Sequence, residues 1–224
     1  SSLVLESPYE AYATWAASEG QILPMGYSNL DALLGGIVPG ELVIVAARPS
    51  VGKTAFLLGT AIHMARQGIK TGFISLEMHP LMITARVISN ALSIPMSILR
   101  RRPISQELAA EIRQRMQEEG LSQNLLIFNK ISSSLSSVLA CIEEGIKRGA
   151  RCIMIDYLQL ITAGDEYWGS ERRDLELGYI TSQLKEIAVT RDIAILVASQ
   201  LNRASEQRGD KRPMLSDLRD SGNI

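Results

Sequence analysis

The chain has 224 residues, of which 46% are apolar, and its 23 Lys and Arg nearly balance its 24 Asp and Glu, giving a formal net charge of −1. This is the composition of an ordinary globular domain, and it excludes a disordered chain, a collagen-like chain and a small disulfide scaffold. A nearly neutral chain offers no global basic field for nucleic acid, although a local patch or a ring of subunits would supply one.

The sequence gives no indication of a zinc centre or a membrane segment. The cysteines Cys141 and Cys152 form no C-x-x-C pair, and the only histidines are His63 and His79, so we do not expect a structural zinc site. No run of 18 apolar residues occurs, and the first residues lack the basic and apolar regions of a signal peptide. We therefore expect a cytoplasmic protein without a membrane partner.

Predicted helices and strands alternate along the chain. A short Ala-rich helix over 8–18 is followed by Gly-rich turns between 26 and 40. Apolar runs typical of buried parallel strands then alternate with amphipathic helical patterns: strands at 42–46, 71–76, 125–128, 152–155 and 193–198, and helices at 54–67, 80–92, 105–119, 135–148 and 174–190. The alternation predicts an α/β fold with a doubly wound, mostly parallel sheet flanked by helices. The first strand is predicted to be buried on both faces.

A phosphate-binding loop follows the first predicted strand. Residues 47–54 read A-R-P-S-V-G-K-T and match G-x-x-x-x-G-K-[ST] except at Ala47, which stands where glycine is expected. In this motif main-chain N–H groups and a helix N-terminus bind phosphate, the lysine reaches the β- and γ-phosphates, and the hydroxyl binds Mg²⁺. The nucleotide is therefore predicted to contact Arg48, Pro49, Ser50, Val51, Gly52, Lys53, Thr54 and Ala55.

Three further polar residues follow predicted strands, at the edge of a parallel sheet where ligands bind. Glu77 is placed to act as general base for water, with an ordinary surface glutamate as the alternative. Asp156 follows four apolar residues and is expected to bind Mg²⁺ together with Thr54. Gln200 is placed to sense the γ-phosphate, a weak signal by itself. Together with Lys53, these residues predict a phosphoanhydride hydrolase assisted by Mg²⁺; they do not distinguish ATP from other nucleoside triphosphates.

Four stretches of the sequence resemble the C-terminal, RecA-like motor domain of DnaB-type bacterial replicative hexameric helicases. They are GYSNLDALLGGIVPGELVIVAARPSVGKTAF (26–56), FISLEM (73–78), IMIDYLQLI (153–161) and SQLNRASEQRGDKRPMLSDLRDSGNI (199–224). The family tolerates alanine at position 47. The resemblance implies a RecA-like P-loop NTPase fold, with Glu77 as catalytic base, Asp156 as Walker B acid and Gln200 as γ-phosphate sensor.

The same resemblance implies a homohexameric ring that hydrolyses ATP, translocates on single-stranded DNA and unwinds duplex DNA at the replication fork. Arg219, Asp220 and Gly222 are the implied DNA-binding residues, with Asp220 standing where the family usually has glutamate. Six copies of Arg219 would form a basic ring that the net charge of one chain conceals.

The resemblance also implies a division of the chain and further partners. Residues 1–22 are expected to be a linker helix or leader, and residues 23–224 the ATPase domain, truncated before the strands that carry a trans-acting arginine finger. Primase and helicase-loader contacts are expected through parts outside this chain. Two alternatives remain open: a RecA-like recombination, repair or other ring ATPase, and a nucleotide-binding loader or regulatory module. The block at 199–224 argues against the first, and the joint presence of Lys53, Glu77 and Asp156 against the second.

Overall fold

In a computed structural model, the structure is described for residues 7–18, 22–48, 52–129, 131–164 and 173–201. The described strands are β1 (Leu42–Ala47), β2 (Thr71–Ser75), β3 (Leu125–Ile127), β4 (Cys152–Asp156) and β5 (Ala194–Gln200). The described helices are α1 (Pro8–Ala16), α2 (Ser28–Leu34), α3 (Lys53–Arg66), α4 (Pro80–Leu92), α5 (Met96–Leu99), α6 (Gln106–Glu118), α7 (Leu121–Asn124), α8 (Leu135–Lys147) and α9 (Arg173–Arg191). A short 3₁₀ turn spans Leu158–Leu160.

The strands form one parallel sheet in the order β1-β5-β4-β2-β3. Ser75 at the end of β2 is in register with Asp156 at the end of β4, and Ala47 at the end of β1 is in register with Gln200 at the end of β5. Because the strands are parallel and in register, their carboxyl ends lie along one edge. The predicted α/β fold with a doubly wound parallel sheet is confirmed.

Two apolar layers cover the central strands, which explains why those strands read as unbroken apolar runs. Phe73, Met154 and Leu196 face the layer that contains buried residues of α3 and α4. Their chain neighbours, Ile74 and Ile155 among them, face the layer that contains buried residues of α8 and α9. The sheet edge that carries the polar strand ends therefore has a rigid base.

The predicted burial of the first strand on both faces is wrong for the part of the chain that the structure describes. There β1 pairs only with β5, at one end of the strand order, and the Ile44 side chain is 37% exposed. An unbroken apolar run does not distinguish an edge strand from a central one, because both faces of either strand can carry apolar side chains.

Side-chain caps fix several helix starts. The hydroxyls of Ser105 and Ser134 accept hydrogen bonds from Leu108 N and Ser137 N at the starts of α6 and α8, as Ser residues do at helix N-caps. Helix α1 contains no buried residue, and the rings of Tyr12 and Trp15 lie 6.0 Å apart on its surface. Among the helices of the described ranges, none is long and apolar enough to cross a membrane.

Candidate active site

The first turn of α3 begins immediately after a left-handed glycine. Gly52 has φ = 77° and is the N-cap of α3, which starts at Lys53. Only glycine adopts such a φ without strain. The free N–H groups of this 14-residue helix lie at its N-terminus, where the helix dipole also favours a negatively charged ligand.

A cavity of about 490 Å³ opens at this helix start, a size suited to a small-molecule ligand. The N-cap Gly52 and the first three residues of α3 (Lys53, Thr54 and Ala55) line the cavity, together with Glu77 just after β2 and Gln200 at the end of β5. The structure therefore brings the last four predicted loop positions, 52–55, to one site with the predicted base and sensor positions. Asp156 joins them through direct contacts with Lys53 and Thr54.

The Lys53 ammonium group lies among two carboxylates and an aromatic ring. Its Nζ is 2.9 Å from Glu77 Oε2, 3.6 Å from Asp156 Oδ1 and 4.4 Å from the centre of the Tyr157 ring. The Lys53 side chain is 11% exposed, whereas that of Glu77 is 46% exposed. The half-exposed Glu77 carboxylate is therefore accessible to solvent and to the cavity, while the Lys53 side chain is largely buried.

Two hydrogen bonds hold the turn that carries Glu77. Leu76 N donates a 2.8 Å hydrogen bond to Asp156 O, and Met78 N donates a 3.0 Å bond to Ser75 Oγ. The Leu76 bond extends β2 by one rung alongside β4, and the Met78 bond closes the turn on the last residue of β2. The predicted base is thus positioned by the same two strands that position Asp156.

The Asp156 carboxylate is completely buried and only partly satisfied. Thr54 Oγ1 donates a 2.6 Å hydrogen bond to Asp156 Oδ2. Asp156 Oδ1 makes no hydrogen bond within the described part of the chain. Burial raises the pKa of the Asp156 carboxyl above its ordinary value, and the Thr54 hydrogen bond and the Lys53 charge offset part of that rise. A buried charge without full compensation is costly, and a bound cation would relieve it.

The Thr54 and Asp156 oxygens are the kind of ligands that Mg²⁺ prefers. Mg²⁺ commonly binds proteins through one or two side chains and completes its shell with phosphate oxygens and water. A hydroxyl beside a buried carboxylate with a free oxygen fits that pattern. Groups of three or more His, Cys, Asp or Glu that would hold a metal by themselves do not occur among the described residues.

One of the remaining predicted site residues, Arg48, is described by the structure, and the others are not. Arg48 directly follows β1 and is half-buried, but it is not among the described residues that line the cavity. Two sets lie outside the described residues: the loop residues Pro49, Ser50 and Val51, and the predicted DNA-binding residues Arg219, Asp220 and Gly222.

Arg86 and Met78 also line the cavity, and the sequence analysis singled out neither. Arg86 lies on α4 and makes no ion pair with another described residue. It is the only charged residue in that helix, whose sequence is PLMITARVISNAL. The sequence signal that could have identified Arg86 is a single charged residue in an otherwise uncharged helix. Arg86 therefore adds a second cationic residue to the cavity lining, besides Lys53.

Comparisons with known proteins agree with this geometry. The family model for the DnaB-like helicase C-terminal domain matches residues 23–224. The chain is 39% identical over 204 residues to a probable plasmid replicative DNA helicase of Chlamydia psittaci, covering 90% of this chain and 44% of that protein. It is 33% identical over 225 residues to the replicative DNA helicase DnaB of Geobacillus stearothermophilus, covering 99% of this chain and 49% of that protein. The chain thus spans less than half the length of these curated relatives.

Two solved structures are similar over 98% of the chain, each with 34% sequence identity. One is a DnaB-like replicative helicase studied with its interactions with primase, with a TM-score of 0.78 and 54% of that chain covered. The other is the ATPase domain of G40P, with a TM-score of 0.79 and 80% of that chain covered. The fold is therefore a RecA-like, nucleotide-binding P-loop domain, and the chain belongs to the DnaB-like helicase family, whose C-terminal domain it matches.

Proposed function

We propose that this chain is the motor domain of a replicative DNA helicase, which hydrolyses ATP with Mg²⁺ to translocate on single-stranded DNA and unwind the duplex at the replication fork. The observation that carries the proposal is the convergence of Lys53, Thr54, Glu77, Asp156 and Gln200 at one cavity. Such a set binds a triphosphate, orients a water molecule and compensates the developing charge. Membership of the DnaB-like family supports the coupling to DNA.

The α3 N-terminus and Lys53 would bind the β- and γ-phosphates, with Arg48, Pro49, Ser50 and Val51 completing the loop. Thr54 and Asp156 would hold Mg²⁺, which supplies positive charge at the phosphate oxygens. The unsatisfied Asp156 Oδ1 supports this assignment, because it is a buried acceptor beside a hydroxyl.

Glu77 is proposed as the general base. Its ion pair with Lys53 provides a way for nucleotide binding to release the Glu77 carboxylate for proton transfer. Lys53 Nζ and Glu77 Oε2 are 2.9 Å apart. A triphosphate would compete with Glu77 for the lysine, because its oxygens carry more negative charge than one carboxylate. Glu77 would then be free to accept a proton from the attacking water. The Gln200 amide, which lines the same cavity, would hydrogen-bond the γ-phosphate and report its presence.

DNA contacts are proposed for Arg219, Asp220 and Gly222, with Arg219 and main-chain N–H groups donating to phosphates. Such contacts follow the backbone without reading bases. In a homohexamer, six such segments would surround one strand. We further propose residues 1–22 as linker and 23–224 as motor domain, primase and a helicase loader as partners, and a cytoplasmic location at the replication fork.

The test is ATP hydrolysis with and without a single-stranded oligonucleotide, measured alongside the mass of the protein in solution. We expect a hexamer whose Mg²⁺-dependent hydrolysis rises with DNA, and loss of nucleotide binding in Lys53→Ala. Lys147→Ala is the matched control, because Lys147 is exposed on α8, far from the cavity in sequence and fold. A monomer that binds ATP and ignores DNA would contradict the proposal and favour a loader or regulatory module.

A further inference from the structure

The last residues of β5 are held on one side by a glutamine side chain instead of a neighbouring strand. The pairing of β4 with β5 ends at Ile155 and Val197, three residues before Gln200. Beyond that point Gln159 Oε1 accepts a 3.1 Å hydrogen bond from Gln200 N, and Gln159 Nε2 donates a 3.0 Å bond to Gln200 O. The amide thus bonds both main-chain groups of Gln200, as an adjacent strand would.

Gln159 makes a third bond in the same region, and the other side of β5 is also fixed. Gln159 Nε2 donates to Ser199 Oγ at 2.8 Å. On the β1 side, Leu201 N donates to Ala47 O at 2.8 Å. The end of β5 is therefore held by Gln159 on one side and by β1 on the other. The direction of the Gln200 side chain depends on both contacts.

Gln159 is itself anchored by the first turn of α9. Arg173 Nη2 donates to the main-chain oxygens of Gln159 and Ile161 at 2.7 and 2.8 Å. Arg173 Nη1 pairs with Glu176, whose Oε1 accepts a 2.7 Å hydrogen bond from Ala163 N. Glu176 is buried. Gln159 is therefore bonded through its main chain to one element and through its side chain to another.

We propose that Gln159 is a positioning residue for Gln200. The Gln159 side chain holds the Gln200 main chain so that the side-chain amide of Gln200 points at the γ-phosphate. The inference rests on the proposed function, in which Gln200 senses that phosphate. An amide is required at position 159, because the two groups of Gln200 need one acceptor and one donor. Misplacing a contributing group by about 1 Å can reduce turnover about 100-fold.

Gln159→Glu tests whether an amide is required at position 159, because it replaces the amide by a carboxylate of almost the same size. The carboxylate keeps the acceptor for Gln200 N but loses both donated bonds and opposes the Gln200 carbonyl oxygen. We expect kcat for ATP to fall about 10- to 100-fold, with KM changed less than about threefold. Ser199→Ala is the matched control, because it removes one of the three bonds and leaves both bonds to the Gln200 main chain; we expect its kcat within about threefold of wild type.

A double-mutant cycle separates positioning from a general structural role. If Gln159 acts through the Gln200 side chain, Gln159→Glu costs less than about threefold in a Gln200→Ala background, because interacting sites are not additive. A purely structural role predicts the same cost in both backgrounds. Melting temperatures within a few degrees of wild type establish that the variants are folded.

A second readout requires no nucleotide. In the free protein, Gln159→Leu removes the acceptor of Gln200 N, so we expect hydrogen–deuterium exchange of that amide to accelerate at least about tenfold. Unchanged exchange in Gln159→Leu, unaltered kcat in Gln159→Glu, or an equal cost in both backgrounds would overturn the inference and leave the proposed function standing. A wild-type protein that hydrolyses no ATP would overturn the proposed function and the inference with it.

Discussion

The hydroxyl of Thr54 donates a 2.6 Å hydrogen bond to a carboxylate that is completely buried. Thr54→Val removes that hydroxyl while preserving the shape of the side chain. Asp156 would then keep only Lys53, 3.6 Å away, as a favourable polar neighbour among the described residues. We therefore expect the variant to be less stable than wild type in the absence of nucleotide.

The magnitude follows from the kind of bond that is lost. Hydrogen bonds to charged groups contribute about 1.5–3 kcal/mol, so we expect the free energy of unfolding to fall by about 2 kcal/mol. For a chain of this length that corresponds to a Tm lower by about 4–8 °C. Thermal unfolding followed by circular dichroism measures the difference.

The loss should also depend on pH, because Thr54 lowers the pKa of Asp156 against the effect of burial. A carboxyl whose folded-state pKa is raised contributes stability below its unfolded pKa and loses it as pH rises through the folded value. Thr54→Val raises the folded-state pKa of Asp156 further. The destabilisation of the variant relative to wild type should therefore grow as the pH rises above the ordinary aspartate pKa and through the raised folded-state pKa of Asp156.

Thr60→Val is the matched control for this measurement. Thr60 lies on the same helix and is completely buried, but its Oγ1 has no hydrogen-bond partner within the described residues. The same chemical change there should be neutral or stabilising by up to about 1 kcal/mol. Equal losses in the two variants, or a Thr54→Val penalty that does not change with pH, would refute the reasoning about Asp156.

Three further substitutions test the proposed roles. Glu77→Gln should keep nucleotide binding and abolish turnover, and a wild-type rate would remove Glu77 from proton transfer. Asp156→Asn should raise the Tm of the Mg²⁺-free protein by about 2–4 °C, because burial disfavours the charge of the carboxylate. The same variant should lose Mg²⁺-dependent nucleotide binding. A Tm below that of wild type would contradict the expected stabilisation. Arg219→Ala should weaken single-strand binding and reduce its salt dependence by about one phosphate per subunit contact, and an unchanged slope would exclude that contact.

Much of the fold could be predicted because the central strands are buried on both faces. Runs such as 71–76 and 152–155 carry apolar side chains without interruption, and each is separated from the next strand by a helical pattern. The short helices α2, α5 and α7 were not predicted, because 4–7 residues are too few for a helical periodicity to show. The place of β1 at one end of the described strand order depends on pairing between segments that are distant in the sequence.

The candidate site was predictable as far as it depends on strand ends. Glu77, Asp156 and Gln200 follow strands, so parallel topology alone gathers them beside Lys53. Arg86 was missed because its place depends on how α4 packs against α3 and β3. Gln159 was missed because its three hydrogen bonds arise from the 3₁₀ turn after β4, which directs the side chain across to β5.

Strand separation on a forked DNA duplex tests most directly the claim that ATP hydrolysis in this cavity drives a helicase. We predict that the wild-type protein releases the labelled strand only when both ATP and Mg²⁺ are present. Glu77→Gln should bind the same fork and nucleotide and release no strand. Strand release by Glu77→Gln, or wild-type protein that hydrolyses ATP on the fork without separating it, would contradict the account.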